Sequence, residues 1–204
     1  MFKAYEERYE ELKERFGYNH GVRKQKKLLI GQQEAELKAT YNWLSAYADS
    51  NPINVFVELG VNWGATLFMY SAFVQPGGTL IGIDAGLFPG IHDVHKVIDA
   101  LRADGFTVYF LNERTDESGL ASKAHFLANS DFDLLHIDAD HSYEVAKHDW
   151  ETYEPLTKKG GAILFHDITY MKGVAKYWAQ IKGALKLYQE IVLGGQGMAC
   201  IVKE

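Results

Sequence analysis

From residue 54 onwards, short β-branched apolar runs alternate with longer segments whose apolar positions recur at helical spacing. The apolar runs predict strands, and they lie at residues 54–58, 80–84, 107–111, 132–138 and 161–165. The segments of helical periodicity that follow them lie at residues 64–74, 92–103, 117–128, 143–153 and 174–181. Because strands separated by helices of this length form a parallel sheet with helices on both faces, the pattern predicts a Rossmann-like, doubly wound α/β fold.

The two ends of the chain depart from this alternation. The first fifty residues predict two amphipathic helices, at residues 2–16 and 32–48. The last residues form two apolar runs, 187–193 and 198–202, separated by a Gly-Gly-Gln-Gly turn, which predicts a hairpin. We therefore expect a helical N-terminal extension, which caps a site or mediates homodimerisation, and an α/β domain over residues 51–204.

Composition narrows the range of partners. The 204 residues include 47% hydrophobic and 24% charged side chains, which suits one globular core. The net charge of −6 argues against nucleic acid and anionic membranes as partners, and no apolar run approaches the roughly 18 residues that a membrane span needs. The single cysteine, Cys200, fits a reducing, cytoplasmic compartment. We therefore expect a cytoplasmic protein that acts on a small molecule.

The first strand ends in an acid, Glu58, and runs into a loop with two glycines. Gly60 allows the chain to turn sharply out of the strand, and Gly64 allows the following helix to pack closely. Taken alone, this segment is equally typical of a plain strand-to-helix turn. Asp84 ends the second strand, 26 positions after Glu58, where an acid accepts hydrogen bonds from the ribose hydroxyls of an adenosine. Together the loop and the acid predict an adenosine-containing cofactor.

The charges in this loop distinguish between two such cofactors. A dinucleotide motif would have glycine where Asn62 stands, and bulky Trp63 follows it. Glu58 would repel a pyrophosphate, whereas S-adenosylmethionine (SAM) presents an ammonium and a sulfonium, which tolerate carboxylates. The sequence therefore favours SAM over NAD(P). An NAD(P)-linked oxidoreductase and a non-catalytic SAM-binding module remain as alternatives.

Acids and histidines follow the fourth and fifth strands. Asp138, Asp140 and His141 follow one strand, and His166 and Asp167 follow the other. Neighbouring parallel strands bring these ends together, and such a donor set suits Mg²⁺ or Zn²⁺. The metal would bind a substrate hydroxyl pair, and His141 would accept the hydroxyl proton as a general base. The simpler interpretation is a helix cap and a hydrogen-bonded loop pair.

Four segments, residues 57–66, 81–84, 132–143 and 160–167, together resemble the class I SAM-dependent methyltransferases. The chain is most similar to the methyltransferase-24 group, which includes cephalosporin-hydroxylase-like and macrocin-type O-methyltransferases. The resemblance implies a seven-stranded sheet whose last strand is antiparallel. It also implies methyl transfer to the hydroxyl of a small molecule.

The resemblance assigns cofactor-binding roles to five residues. Glu58, Gly60 and Gly64 would line the methionine moiety of SAM. Asp84 would hold the ribose, and the segment near Thr115 would border the adenine.

The resemblance also assigns the catalytic and metal positions. Asp138, His166 and Asp167 match the metal ligands of the catechol-type enzymes, and His141 matches the base. The chain departs from that pattern at His166, where those enzymes have an acid. This departure leaves both the need for a metal and its identity open.

Overall fold

The computed structural model describes residues 2–17, 32–87 and 91–204. Within them, the chain forms one seven-stranded sheet in the order β3-β2-β1-β4-β5-β7-β6. The strands are β1 (Ile53–Leu59), β2 (Val74–Ile83), β3 (Thr107–Leu111), β4 (Phe132–Ile137), β5 (Thr157–His166), β6 (Tyr188–Ile191) and β7 (Met198–Val202). β1 to β5 are parallel, β7 is antiparallel to β5, and β6 is antiparallel to β7. The predicted fold class, with its terminal hairpin and antiparallel last strand, is confirmed.

Helices cover both faces of the sheet. They are α1 (Tyr5–Phe16), α2 (Glu34–Ala48), α3 (Ala65–Tyr70), α4 (Ile91–Ala103), α5 (Leu120–Ala128), α6 (Tyr143–Tyr153) and α7 (Lys172–Ile181). Buried side chains of α1 to α4 form the apolar cluster on one face, and those of α5 to α7 form the cluster on the other. Among the helices described, none is both long and apolar enough to cross a membrane.

The N-terminal helices belong to the same packed layer as the rest of the domain. Leu37, Tyr41 and Leu44 of α2 are buried in the cluster that also contains Leu12 of α1. Arg8 of α1 is buried, and its guanidinium donates to the carbonyl of Phe68 at 2.6 and 3.1 Å. This packing brings the beginning of α2 to the carboxyl edge of the sheet. The roles of the extension as a cap or a dimer interface stay predictions.

Two strands begin earlier than the sequence indicated. β2 begins at Val74 and β5 at Thr157, and each first residue pairs with a neighbouring strand before the register shifts. The shift in each case spans a Gly-Gly pair, which permits the bulge because neither residue carries a side chain. Sequence reading treats such pairs as the end of an element. As a result, the predicted helix over residues 64–74 was too long, and α3 ends at Tyr70.

The topology fixes where a ligand binds. The strand order runs from β1 through β2 to β3 on one side and continues through β4 to β5 on the other. The connections therefore diverge between β1 and β4, and this is the switch point at which open α/β sheets bind ligands beyond the strands' carboxyl ends.

Candidate active site

A cavity of about 500 Å³ opens at this switch point. Seven of the nine predicted site residues line it, namely Gly60, Asp84, Thr115, Asp138, His141, His166 and Asp167. The other two predicted residues, Glu58 and Gly64, support the wall from behind. Their parts in binding or catalysis stay predictions, and the geometry below shows what each position allows.

Glycine stands at residues 60 and 64 of the first loop for different structural reasons. Gly60 has φ +88°, and a Cβ there would lie 1.9 Å from the carbonyl oxygen of Asp138. No side chain fits, so the loops after β1 and β4 come together only because residue 60 is glycine. Gly64, with φ +83°, lies just before α3, and a Cβ there would be 3.2 Å from Val97 of α4. Its space therefore serves close helix packing.

Glu58 lies beneath the loop and is fully buried. Its Oε1 accepts a hydrogen bond from Thr66 at 2.5 Å and lies 2.9 Å from Nδ1 of His136. Burial raises the pKa of Glu58 above its ordinary value. Glu58 therefore does not line the cavity itself, but it is hydrogen-bonded to Thr66, which does.

Asp84 and Thr115 lie on the opposite side of the glycine loop. The Asp84 carboxylate accepts hydrogen bonds from the backbone N–H groups of Asn62 and Gly86, both at 2.7 Å. These bonds tie the end of β2 to the loop after β1. The Thr115 carbonyl accepts a hydrogen bond from the Tyr153 hydroxyl at 3.0 Å, so the loop after β3 is anchored to α6. Hydrogen bonds to neighbouring elements therefore fix the positions of both Asp84 and Thr115, the two predicted adenosine contacts.

Asp138, His141 and Asp167 form a compact cluster at the ends of β4 and β5. Their potential ligand atoms lie within 4.8 Å of one another, with Nε2 of His141 at 2.9 Å from Asp167 and 3.7 Å from Asp138. The carboxylates of Asp138 and Asp167 raise the pKa of His141 to about 10. Burial alone would raise the pKa of Asp138, but the neighbouring histidines hold it below its ordinary value.

His166 has a different environment from the one the resemblance implies. Its Nδ1 lies 3.0 Å from Asp138, and its Nε2 lies 2.9 Å from Oε1 of Glu36. Burial would lower the pKa of His166, but the carboxylates of Asp138 and Glu36 raise it. With both ring nitrogens facing carboxylates, His166 lies beside the cluster. The potential ligand atoms that converge are those of Asp138, His141 and Asp167, and the metal-ligand role that the resemblance gives to His166 stays a prediction.

The cluster has the donor set of a divalent-cation site. The carboxylates of Asp138 and Asp167 are oxygen ligands of the kind that a divalent cation such as Mg²⁺ prefers, and the imidazole of His141, the predicted base, lies beside them. Oδ1 of Asp167 is buried and has no hydrogen-bond partner among the described residues, so it is free to bind a ligand. Asp167 also has φ +61°, an uncommon backbone conformation for a residue with a side chain, which is typical of functional sites. The residues present therefore fit a divalent cation.

The polar residues beside this cluster cap α6. The side-chain oxygen of Ser142 accepts a hydrogen bond from the N–H of Val145 at 3.3 Å, and Asp140 accepts one from the N–H of Ser142 at 2.8 Å. The capping interpretation is confirmed for Ser142. It places His141 on the rigid entry to the helix.

Sequence reading missed three polar residues at the site. Glu36, Gln32 and His136 are all buried, and Gln32 lines the cavity. A signal existed for Glu36, because it lies one position from Leu37 and four from Thr40, on the buried side of the helix. His136 is paired directly with Glu58 in the β1–β4 register. Gln32 lies before the first turn of α2, where no local sequence pattern predicts that its side chain is buried.

Solved structures of other proteins share this fold. The O-methyltransferase from Bacillus cereus in complex with SAH superposes with a TM-score of 0.60 at 16% identity, covering 84% of this chain and 82% of that one. CalS11, a TDP-rhamnose 3′-O-methyltransferase of calicheamicin biosynthesis, gives 0.62 at 19% identity, covering 85% and 81%. These structures are similar in fold.

A sequence relative has also been found, the uncharacterized protein y4gI of Sinorhizobium fredii. It is 27% identical over 137 residues, which are 61% of this chain. The matched region is 14% of that relative, so the chain spans only a small part of its length.

The family model described as a methyltransferase domain matches residues 57–168. This region runs from within β1 to just after β5 and includes every predicted site residue. The chain belongs to the methyltransferase domain family, which confirms the predicted class I SAM-dependent methyltransferase.

Proposed function

We propose that the protein transfers the methyl group of SAM to a hydroxyl oxygen of a small molecule. One observation carries the proposal: Asp84, at the end of β2, and the Asp138–His141–Asp167 cluster line the same cavity. An acid suited to ribose and a cluster suited to a hydroxyl are thus parts of one site. The similarity in fold to two named O-methyltransferases supports the oxygen acceptor.

The cofactor lies across the switch point in this proposal. The Asp84 carboxylate accepts hydrogen bonds from the ribose hydroxyls through the lone pairs that its two hydrogen bonds with the backbone leave free. Thr115 borders the adenine, and the backbone at Gly60 approaches the methionine moiety closely because no Cβ intervenes. SAM bound there would supply an electrophilic methyl group on its sulfonium, and the carboxylates of Asp138 and Asp167 line the same cavity.

The reaction is an in-line displacement at the methyl carbon. The acceptor oxygen forms a bond to that carbon while the carbon–sulfur bond breaks, and sulfur leaves as the neutral thioether of SAH. His141, in its neutral form, accepts the hydroxyl proton. Asp138 and Asp167 hold the ring of His141 in place. In this proposal most of the rate enhancement comes from positioning the acceptor oxygen in line with the methyl group.

A divalent cation would be held by Asp138 and Asp167, where it would supply a Lewis acid that lowers the pKa of the acceptor hydroxyl. His141 is then left to act as the base. In the free protein, the same two carboxylates favour the protonated imidazole, so the base becomes available as pH rises.

The test is calorimetric titration with SAH, with and without Mg²⁺. We expect binding near one per chain, and binding at least about tenfold weaker in Asp84→Ala, because a charged hydrogen-bond acceptor is lost. Asp140→Ala, on the same rim but away from the predicted ribose site, is the matched control. Tight binding of NADH without binding of SAH would contradict the proposal and favour an oxidoreductase. Incubating radiolabelled SAM with hydroxylated small molecules then identifies the acceptor class.

A further inference from the structure

Gln32 presents a buried hydrogen-bond donor at the cavity. Its side chain lines the wall, and the residue is only 3% exposed. Oε1 accepts a hydrogen bond from the Tyr70 hydroxyl at 3.2 Å. Nε2 is buried and has no partner among the described residues. A buried amide that is satisfied at one end and unpaired at the other costs stability, and a ligand oxygen would remove that cost.

Tyr70 fixes the direction of this donor. It is fully buried in α3, and its ring packs edge-on against His136 with the centroids 5.6 Å apart. Because its hydroxyl donates to Oε1, the amide orientation is set before a ligand arrives, and Nε2 is the end of the amide that has no partner among the described residues. The donor is therefore preorganised, which lowers the entropy cost of binding.

The orientation of the cofactor identifies the group that Gln32 meets, and this step rests on the proposed function. With adenosine at Asp84 and Thr115 and the methyl group near Asp138, the amino-acid end of SAM would extend towards the part of the wall formed by Gln32 and by the first residues of α3, Ala65 and Thr66. That end carries the only carboxylate of the cofactor. We propose that Gln32 donates a hydrogen bond to the methionyl carboxylate of SAM.

The charges of the cavity explain why a donor is needed there. Acids predominate along the wall, at Asp84, Asp116, Asp138, Asp140 and Asp167. The guanidinium of Arg114, which also lines it, is held by both oxygens of Asp116 at 2.9 and 3.0 Å. The rings of His141 and His166, which also line the wall, are likewise held by the carboxylates of Asp138, Asp167 and Glu36. A carboxylate that enters the cavity beside Gln32 therefore meets a neutral donor there, because the amide of Gln32 carries two N–H groups.

The experiment compares two ligands that differ only beyond the sulfur. SAH carries the amino-acid end, whereas 5′-methylthioadenosine keeps the adenosine and sulfur without it. We expect Gln32→Met, similar in length but without a donor, to bind SAH at least about tenfold more weakly and methylthioadenosine as the wild type does. Gln33→Met, at the exposed neighbouring position, should change neither affinity.

Two further variants keep the test decisive if Gln32→Met folds poorly. Gln32→Glu places a carboxylate against a carboxylate and should weaken SAH binding selectively. Tyr70→Phe removes the hydroxyl that orients the amide and should give a smaller loss of the same selectivity. Equal loss for both ligands, or no loss for SAH, would overturn the assignment of Gln32. If the wild type binds neither ligand, the proposed function itself fails.

Discussion

Glu36 of α2 and His166 at the end of β5 lie 130 residues apart in sequence, and Oε1 of Glu36 is 2.9 Å from Nε2 of His166. The second carboxylate oxygen of Glu36 accepts a hydrogen bond from the N–H of Gly197 at 2.7 Å. His166 in turn contacts Asp138. One buried carboxylate thus joins the N-terminal helices, the terminal hairpin and the predicted catalytic cluster.

This relationship predicts a large stability loss for Glu36→Gln. The variant leaves the buried His166 without one of its two carboxylates, and breaking a buried pair from one side costs about 3 kcal/mol or more. The measurement is the free energy of unfolding in urea. Lys38→Gln, which breaks the exposed pair between α2 and Glu6, is the control and should cost less than about 1 kcal/mol. Similar losses for both variants would show that the buried contact contributes little.

Gly60→Ala should destabilise the protein and abolish SAH binding. The added Cβ would overlap the Asp138 carbonyl and force the loops after β1 and β4 apart. Gly105→Ala is a matched control, because Gly105 has a similar φ of +95° and open space around it. It should cost about 1–2 kcal/mol from backbone strain alone, whereas Gly60→Ala should cost clearly more in urea unfolding. Retention of SAH binding by Gly60→Ala would refute the need for this close approach.

The positions of these residues show how far the sequence could predict the site. Asp84, Asp138 and Asp167 follow apolar strands, and alternating strands and helices dictate that such ends share one edge. Their convergence was therefore predictable from local pattern. The contact between Glu36 and His166 was not, because it depends on how α2 packs across β5 and β7, which periodicity does not encode.

The choice of histidine in the cluster shows the same limit. Spacing alone could not tell His141 from His166 as the partner of the two carboxylates. The distinction comes from Glu36, a residue outside the matched family segment, which holds the far nitrogen of His166. The early starts of β2 and β5 could not be predicted for a different reason. A Gly-Gly pair has the same composition whether it forms a bulge within a strand or a turn that ends a strand or helix.

The cluster predicts a divalent-cation site whose ligands can be separated from the base. Asp167→Asn should weaken Mn²⁺ binding more than about tenfold, because it removes a charged oxygen ligand. Asp140→Asn, a neighbouring acid outside the cluster, should leave binding unchanged. Electron paramagnetic resonance of Mn²⁺ provides the affinity. His141→Gln should retain the ion but lose activity if His141 is the base, and loss of Mn²⁺ would instead make it a ligand.

Asp149 of α6 predicts a pH-dependent change in stability away from the cluster. The residue is fully buried, its carboxylate oxygens have no hydrogen-bond partner among the described residues, and Nδ1 of His148 lies 3.7 Å away. Burial raises the pKa of Asp149 from 3.8 to about 6. The unfolded chain therefore loses this proton at lower pH than the folded protein, so ionisation weakens the fold as pH rises from about 4 to 6.

Asp149→Asn removes that ionisation and keeps the shape of the side chain. At pH 8 the variant should be more stable than the wild type by about 3 kcal/mol, and the difference should vanish near pH 2.5, where Asp149 is protonated in both states. Urea unfolding at the two pH values measures it. Asp99→Asn, on the exposed surface of α4, should change stability by less than about 0.5 kcal/mol at either pH. An advantage of Asp149→Asn that is the same at both pH values would mean that the gain comes from packing and that the Asp149 carboxylate is not a buried charge.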